Sequence, residues 1–165
     1  MTRKIHCALA VVALLLVSPL WALDDHQEHG HDRHAQHHAG KHGDAGMPEL
    51  TLDEGQRWAT DASLRQGMSD LRTAFETAHS AFERDALDRE QAEQLADTID
   101  DRVQFMFANC KLPPDADAEL HKLLAAIMGA AVALRESDDV HDGLHRLHQA
   151  IDIYPEYFDH PGWGA

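Results

Sequence analysis

Imidazole and sulfur are the side chains here best suited to chemistry, and they are unevenly placed. The chain has 165 residues and 14 histidines. Seven of these (His26, His29, His31, His34, His37, His38 and His42) fall in one stretch among Asp, Glu, Gln, Gly and Ala. Neutral imidazole suits zinc, copper and nickel, and a His-rich tract is a compositional metal-binding signal. At its ordinary pKa of about 6.5 an imidazole takes up a proton as the medium acidifies, so capture by this tract weakens there. A tract of this kind also serves as a spacer that binds metal only when metal is abundant.

The second concentration is the corner from Asn109 to His121. It ends one helical pattern, turns on Pro113-Pro114, and opens another, setting Cys110 near His121. Thiolate with imidazole suits zinc, and thioether with thiolate selects copper(I). Met68, Met106 and His160 are the auxiliary ligand candidates at the same end. Each has a plainer role beside the chemical one. Cys110 packs well as a small hydrophobe, and Met68, Met106 and Met128 are good core filler. His121 can hydrogen-bond the preceding loop, and His160 can staple the C-terminal tail to the rest of the domain. A third group, His141, His145 and His148, follows steps of four and three on one helix. Such a pair chelates an ion on a helix surface, or is only a polar flank. At 100° per residue His141 and His148 border the apolar stripe and His145 points to solvent.

The elements that must position these groups are helices. Residues 1–22 read as a signal peptide: Arg3 and Lys4, an apolar run from Cys7 to Val17, and Leu20-Trp21-Ala22 before the cleavage point. The run is too short to span a bilayer comfortably. Residues 23–49 hold almost nothing apolar to bury and are expected to be disordered. From Leu50 to Ala165 the sequence reads as one all-α domain. Leu50 to Arg57 is an ordered lead-in. Asp61 or Thr60 caps a helix running to about Arg84, with Leu64, Met68, Leu71, Phe75, Ala78 and Phe82 inward. After a turn at Asp85 to Asp88, the second helix presents Ala92, Leu95, Ile99, Val103, Met106 and Cys110, and the prolines end it. Asp115 or Asp117 caps the third, whose stripe is Leu120, Leu123, Leu124, Ile127, Ala131 and Leu134. Gly129, Ala130 and Ala131 would let a neighbour approach closely. Ser137 or Asp138 begins the fourth, with Val140, Leu144, Leu147, Ile151 and Tyr154 inward, and Pro155 ends or kinks it. Four amphipathic helices with short connections predict an up-down-up-down four-helix bundle. That topology gathers Trp58, Met68, Met106, Cys110, His121, His148 and the His160-Pro161-Gly162-Trp163 tail toward one end.

Composition narrows the function. Cleavage after Ala22 removes Arg3 and Lys4 and no acid, taking the formal charge from -15 to -17. A chain this acidic repels nucleic acid and anionic lipid and attracts cations or basic partners. After cleavage it is periplasmic or secreted, with no stable membrane insertion. Cleavage also removes Cys7, leaving Cys110 as the lone thiol. In an oxidising compartment that implies burial, an intermolecular bridge or a metal ligand. No His-Glu-x-x-His, Gly-x-Ser-x-Gly or phosphate-binding glycine loop occurs. Glu76-x-x-His79 is half of a di-iron motif without its second copy, and no Cys-x-x-Cys-His is present for covalent haem. The expectation is a non-catalytic metal-binding protein for copper, zinc or nickel, acting in buffering, sensing or delivery. A non-catalytic periplasmic interaction module, docking a protein partner through the bundle end or Cys110, is the other reading of the residues.

Three motifs carry a resemblance: Gln56-Arg57-Trp58-Ala59-Thr60-Asp61 through Leu64-Arg65-x-Gly67-Met68, Asn109-Cys110-Lys111-Leu112 through Leu120-His121, and Tyr157-Phe158-Asp159-His160-Pro161-Gly162-Trp163. In these the chain resembles a group of small exported bacterial proteins labelled DnrO-like, which implies an exported helical domain and names no activity. More loosely the arrangement is similar to cytochrome b562 and cytochrome c′ bundles. That similarity implies b-type haem held by Met68 and His148, and electron transfer as an alternative function.

Overall fold

The computed structural model describes residues 46–163. The signal peptide and the histidine tract read from the sequence lie outside the described residues. Four helices form the domain: α1 (Ala62–Phe82), α2 (Arg89–Asn109), α3 (Pro114–Glu136) and α4 (Val140–Tyr157). Consecutive helices pack together and α4 returns to α1, closing an all-α four-helix bundle. The core is aliphatic: Leu64, Leu71, Ile99, Leu123, Leu124 and Ile127 are each fully buried.

Local chemistry sets the ends of each helix. The Asp61 carboxylate accepts from the Leu64 amide at 2.7 Å and caps α1. At the other end Asp85 adopts a left-handed φ of 54°, and Ala86 N–H donates to Ala81 O while Asp85 N–H donates to Phe82 O. This paired closure ends α1 at Phe82 rather than near Arg84. Asp88 and Gln91 form a reciprocal capping box on α2.

Two boundaries differ from the sequence reading. Neither Asp115 nor Asp117 caps α3. Pro113 holds the cap position and Pro114 is the first helical residue, where a missing N–H costs nothing. Asp117 therefore sits inside the helix, with its carboxylate available to neighbours. On α4 the cap is Asp139, and Pro155 neither ends the helix nor stands outside it, since α4 continues to Tyr157.

The ends of the described chain are tied by a feature absent from the helical reading. β1 (Trp58–Ala59) and β2 (Phe158–Asp159) pair in parallel, Trp58 opposite Phe158 and Ala59 opposite Asp159. Thr60 Oγ1 donates to Asp159 O at 2.5 Å, and Arg57 bridges to the Asp159 carboxylate at 2.9 Å. The lead-in is ordered as expected. Leu50 is buried, and Trp58 Nε1 donates to Thr51 O at 2.7 Å across a tight turn at Glu54-Gly55.

Close helix approach falls at glycines other than the expected one. A Cβ on Gly67 would lie 2.5 Å from Met106 Cγ, and one on Gly143 would lie 2.8 Å from the Leu134 backbone nitrogen. A Cβ on Gly129 would meet open space. Ala130 and Ala131 are buried, but Met128 and Val132 on the same helix are exposed.

Candidate functional site

Starts and ends of different helices meet at the corner of Cys110. Asp61 from the α1 start, Cys110 from the α2 end and Asp117 from the first turn of α3 lie together, with Tyr154 from α4 within their electrostatic reach. Asp61 joins two of these segments, because its second carboxylate oxygen accepts from the Lys111 amide at 2.6 Å. Cys110 is half-buried. Burial, then the charges of Asp61 and Asp117, push its thiol up to about 12. It therefore stands as a neutral thiol, and an ion binding there must displace the proton.

His121 shares a neighbour with Cys110 rather than visibly joining it. Its Nδ1 lies 2.7 Å from Asp117 O and 3.3 Å from the Asp117 carboxylate, and its ring tilts against exposed Phe107 at 5.1 Å. Asp117 is thus the group common to both predicted ligands. It was read from the sequence only as a possible cap, and its role here follows from the prolines taking the cap position.

Met68 and Met106, offered as thioether ligands, are 0% and 1% exposed. Both lie in the aliphatic core, Met106 against the bare face of Gly67. His160 does the stapling work. The Tyr154 hydroxyl and His160 Nδ1 are 3.1 Å apart, and Trp163 packs edge-on to Tyr154 and tilted against His160. Burial, helped by the charges of Arg65 and Arg72, lowers the pKa of His160, favouring a neutral ring that accepts from the hydroxyl. Burial likewise raises the Tyr154 pKa, so that hydroxyl stays a donor. Arg72 reaches the Trp163 carbonyl and closes the tail onto α1.

Glu119 is a further residue of this end that sequence reasoning missed. It is a buried acid, accepting from the Thr51 amide at 2.9 Å and from Lys122 Nζ at 2.7 Å. Burial alone would raise its pKa, but these hydrogen bonds and the Lys122 charge outweigh it and the pKa falls. A Glu one position from a Leu stripe gives no hint that the lead-in folds back to meet it.

His148 does not join this end. Its ring stacks on Phe75 at 5.0 Å and its Nε2 lies 3.3 Å from Asp152. Phe75 is two turns, about 10 Å along α1, from Met68. Met68 is sealed in the core while the His148 side chain is half exposed, so the pair does not fit the two faces of a haem. His148 instead shares a groove of about 140 Å³ with His79, His141 and His145. Among the described residues, no three His, Cys, Asp or Glu side chains are already aimed at one point as a metal would need.

Compared with protein-family models, with curated proteins and with solved structures, the chain matches none. The likeness to DnrO-like proteins therefore rests on the quoted motifs alone, and the looser one to the cytochrome bundles on the helical arrangement.

Proposed function

We propose that this is an exported, non-catalytic metal-binding protein that captures copper, zinc or nickel and serves in buffering, sensing or delivery. The observation that carries it is compositional: seven histidines lie between His26 and His42, in a chain of net charge -15. The signal-like N-terminus supports a periplasmic or secreted setting, and the acidic charge supports cations over nucleic acid as ligands. Among the described residues no helix is long and apolar enough to cross a membrane. The bundle is read as up-down-up-down. Asp70–Arg102 with Gly67–Met106, Asp97–Arg135 with Phe107–His121, and Phe75–His148 with Phe82–His141 each step in opposite directions along the paired helices and support that course.

Within the bundle, Cys110 and His121 on either side of Asp117 are the ordered ligand candidates. Met68, Met106 and His160 are weaker ones, being engaged in the core and in the tail. Metal content and thiol titre measured on the chain from Leu23 and on a form starting at Met47 test this. If the tract is the main site, most of the bound ion disappears with it. Any ion held by the shorter form is then lost on Cys110→Ser or His121→Ala if the corner contributes. A chain from Leu23 that retains no copper, zinc or nickel refutes the reading.

A docking role has one observation in its favour. Phe107, Met128 and Val132 are large apolar side chains exposed on α2 and α3, which fits a non-catalytic interaction module. Electron transfer by haem on Met68 and His148 has no such support.

A further inference from the structure

We propose, resting on the metal-binding reading above, that the groove between α1 and α4 is a second and separate metal site, an open imidazole site for a divalent transition ion such as copper(II), zinc or nickel. Four imidazoles line it: His79 from α1, and His141, His145 and His148 from α4. The register explains their meeting. Phe75 stacks on His148 and Phe82 lies tilted against His141, seven residues apart on each helix and in opposite order. His79 consequently faces the turn of α4 holding Leu144 and His145, with an imidazole toward either end. A solvated polar flank would account for three histidines on one helix. It does not account for a fourth arriving from the neighbouring helix at the same level.

Distances come close to those of a chelating pair. The ring centres of His79 and His148 are 6.0 Å apart, and those of His141 and His145 are also 6.0 Å apart, their planes within 5°. Two imidazoles bound to one ion at angles of about 90–110°, through metal–nitrogen bonds of about 2.0–2.1 Å, have ring centres roughly 4.5–5 Å apart. The rings stand about 1 Å wider than that, and an ion must draw them together and change their aim. The His79 and His148 side chains are 40% and 49% exposed, so they turn without displacing core atoms. Phe75 stacks beneath both, at 5.2 Å and 5.0 Å, and gives the pair an apolar floor.

A carboxylate completes the arrangement. His148 Nε2 lies 3.3 Å from Asp152, while Glu83 stands 3.9 Å from His79 Nδ1, beyond hydrogen-bond reach. A carboxylate on one ring nitrogen orients the imidazole and makes the other nitrogen a better ligand. The ion would be held by His79 and His148 across the two helices, with His145 or His141 turning in as a third ligand and water filling the rest.

The test uses the chain from Leu23, tract included, labelled for ¹H–¹⁵N spectroscopy and titrated with copper(II) until no further change. Paramagnetic broadening is expected at residues 76–82 and 141–149 as well as in the tract. His79→Ala/His148→Ala, with helicity checked by circular dichroism, should abolish the first and leave the second. Asp152→Asn should keep the site and weaken it about tenfold, as loss of an outer-shell carboxylate does. Broadening confined to the tract overturns this site while leaving the metal-binding reading intact. Groove broadening that survives the double substitution also overturns it, and no broadening anywhere overturns this site together with the copper part of the metal-binding reading.

Discussion

At the end of the bundle where α1 begins, Asp61, Glu119, Tyr154 and His160 each have fixed partners, and two of those partnerships, Asp61 with Lys111 and Glu119 with Thr51, join segments far apart in sequence. In the α1–α4 groove, His79, His141, His145 and His148 pack against Phe75, Phe82 and one another, and the carboxylates near His79 and His148 lie four residues on in the chain. The same residue types thus do two kinds of work. At the first end polar groups satisfy a chain reversal, and removing them should cost stability. In the groove the imidazoles close no loop and hold no tail, so removing them should cost ligand and little else.

The sharpest way to break this contrast is Asp61→Ala. The carboxylate caps α1 and holds the Lys111 amide, so its loss is expected to destabilise the fold by about 2 kcal/mol, the upper range for a cap. Urea denaturation measures it. The same substitution removes a negative charge beside Cys110 and should speed its reaction with a thiol reagent at mildly alkaline pH. A stability unchanged by this substitution would erase the distinction between the two regions.

Glu119→Gln comes next, with an expected loss of about 1–2 kcal/mol from weakened hydrogen bonds to Thr51 and Lys122. Its pKa is depressed in the fold. Its contribution is therefore complete above the ordinary Glu value of 4.5 and is lost as pH falls below that toward the folded pKa. The substituted protein should show a flatter acid limb in melting temperature against pH.

A smaller effect belongs to His160. Its depressed pKa means the neutral ring is the folded form, so its contribution is present above 6.5 and fades as pH falls through the folded value. Tail loosening over that range should appear as a change in tryptophan fluorescence from Trp163, absent in His160→Gln. Smallest of all, His79→Ala and His148→Ala should each shift stability by no more than about 0.5 kcal/mol. A shift several times larger would make the groove a structural element rather than a ligand surface.

Much of the architecture was legible because it is periodic. The α1 stripe of Leu64, Met68, Leu71, Phe75 and Ala78 is buried as spacing required. Pro113-Pro114 stops α2 at Asn109, as the geometry before proline demands. The placing of Cys110 beside the start of α1 also follows from alternating helices. The sequence could not show which carboxylates would stand there, because Asp61 and Asp117 are 49 and seven residues from Cys110 and both are residue types suited to capping a helix. Cap preference is a local property, and two prolines outranked it on α3.

Residue type and period, acting over one or two turns, determined by themselves that four helices form, where they begin and end to within a few residues, and which faces turn inward. Tertiary structure alone decided which histidines are neighbours. It placed His79 among the α4 imidazoles and moved His148 away from the cysteine corner. It set Gly67 and Gly143, not Gly129, at the closest helix contacts, and folded the lead-in onto Glu119. The reason is that helix periodicity fixes a residue's angle about its own axis, whereas its level against a partner depends on how two whole surfaces interlock.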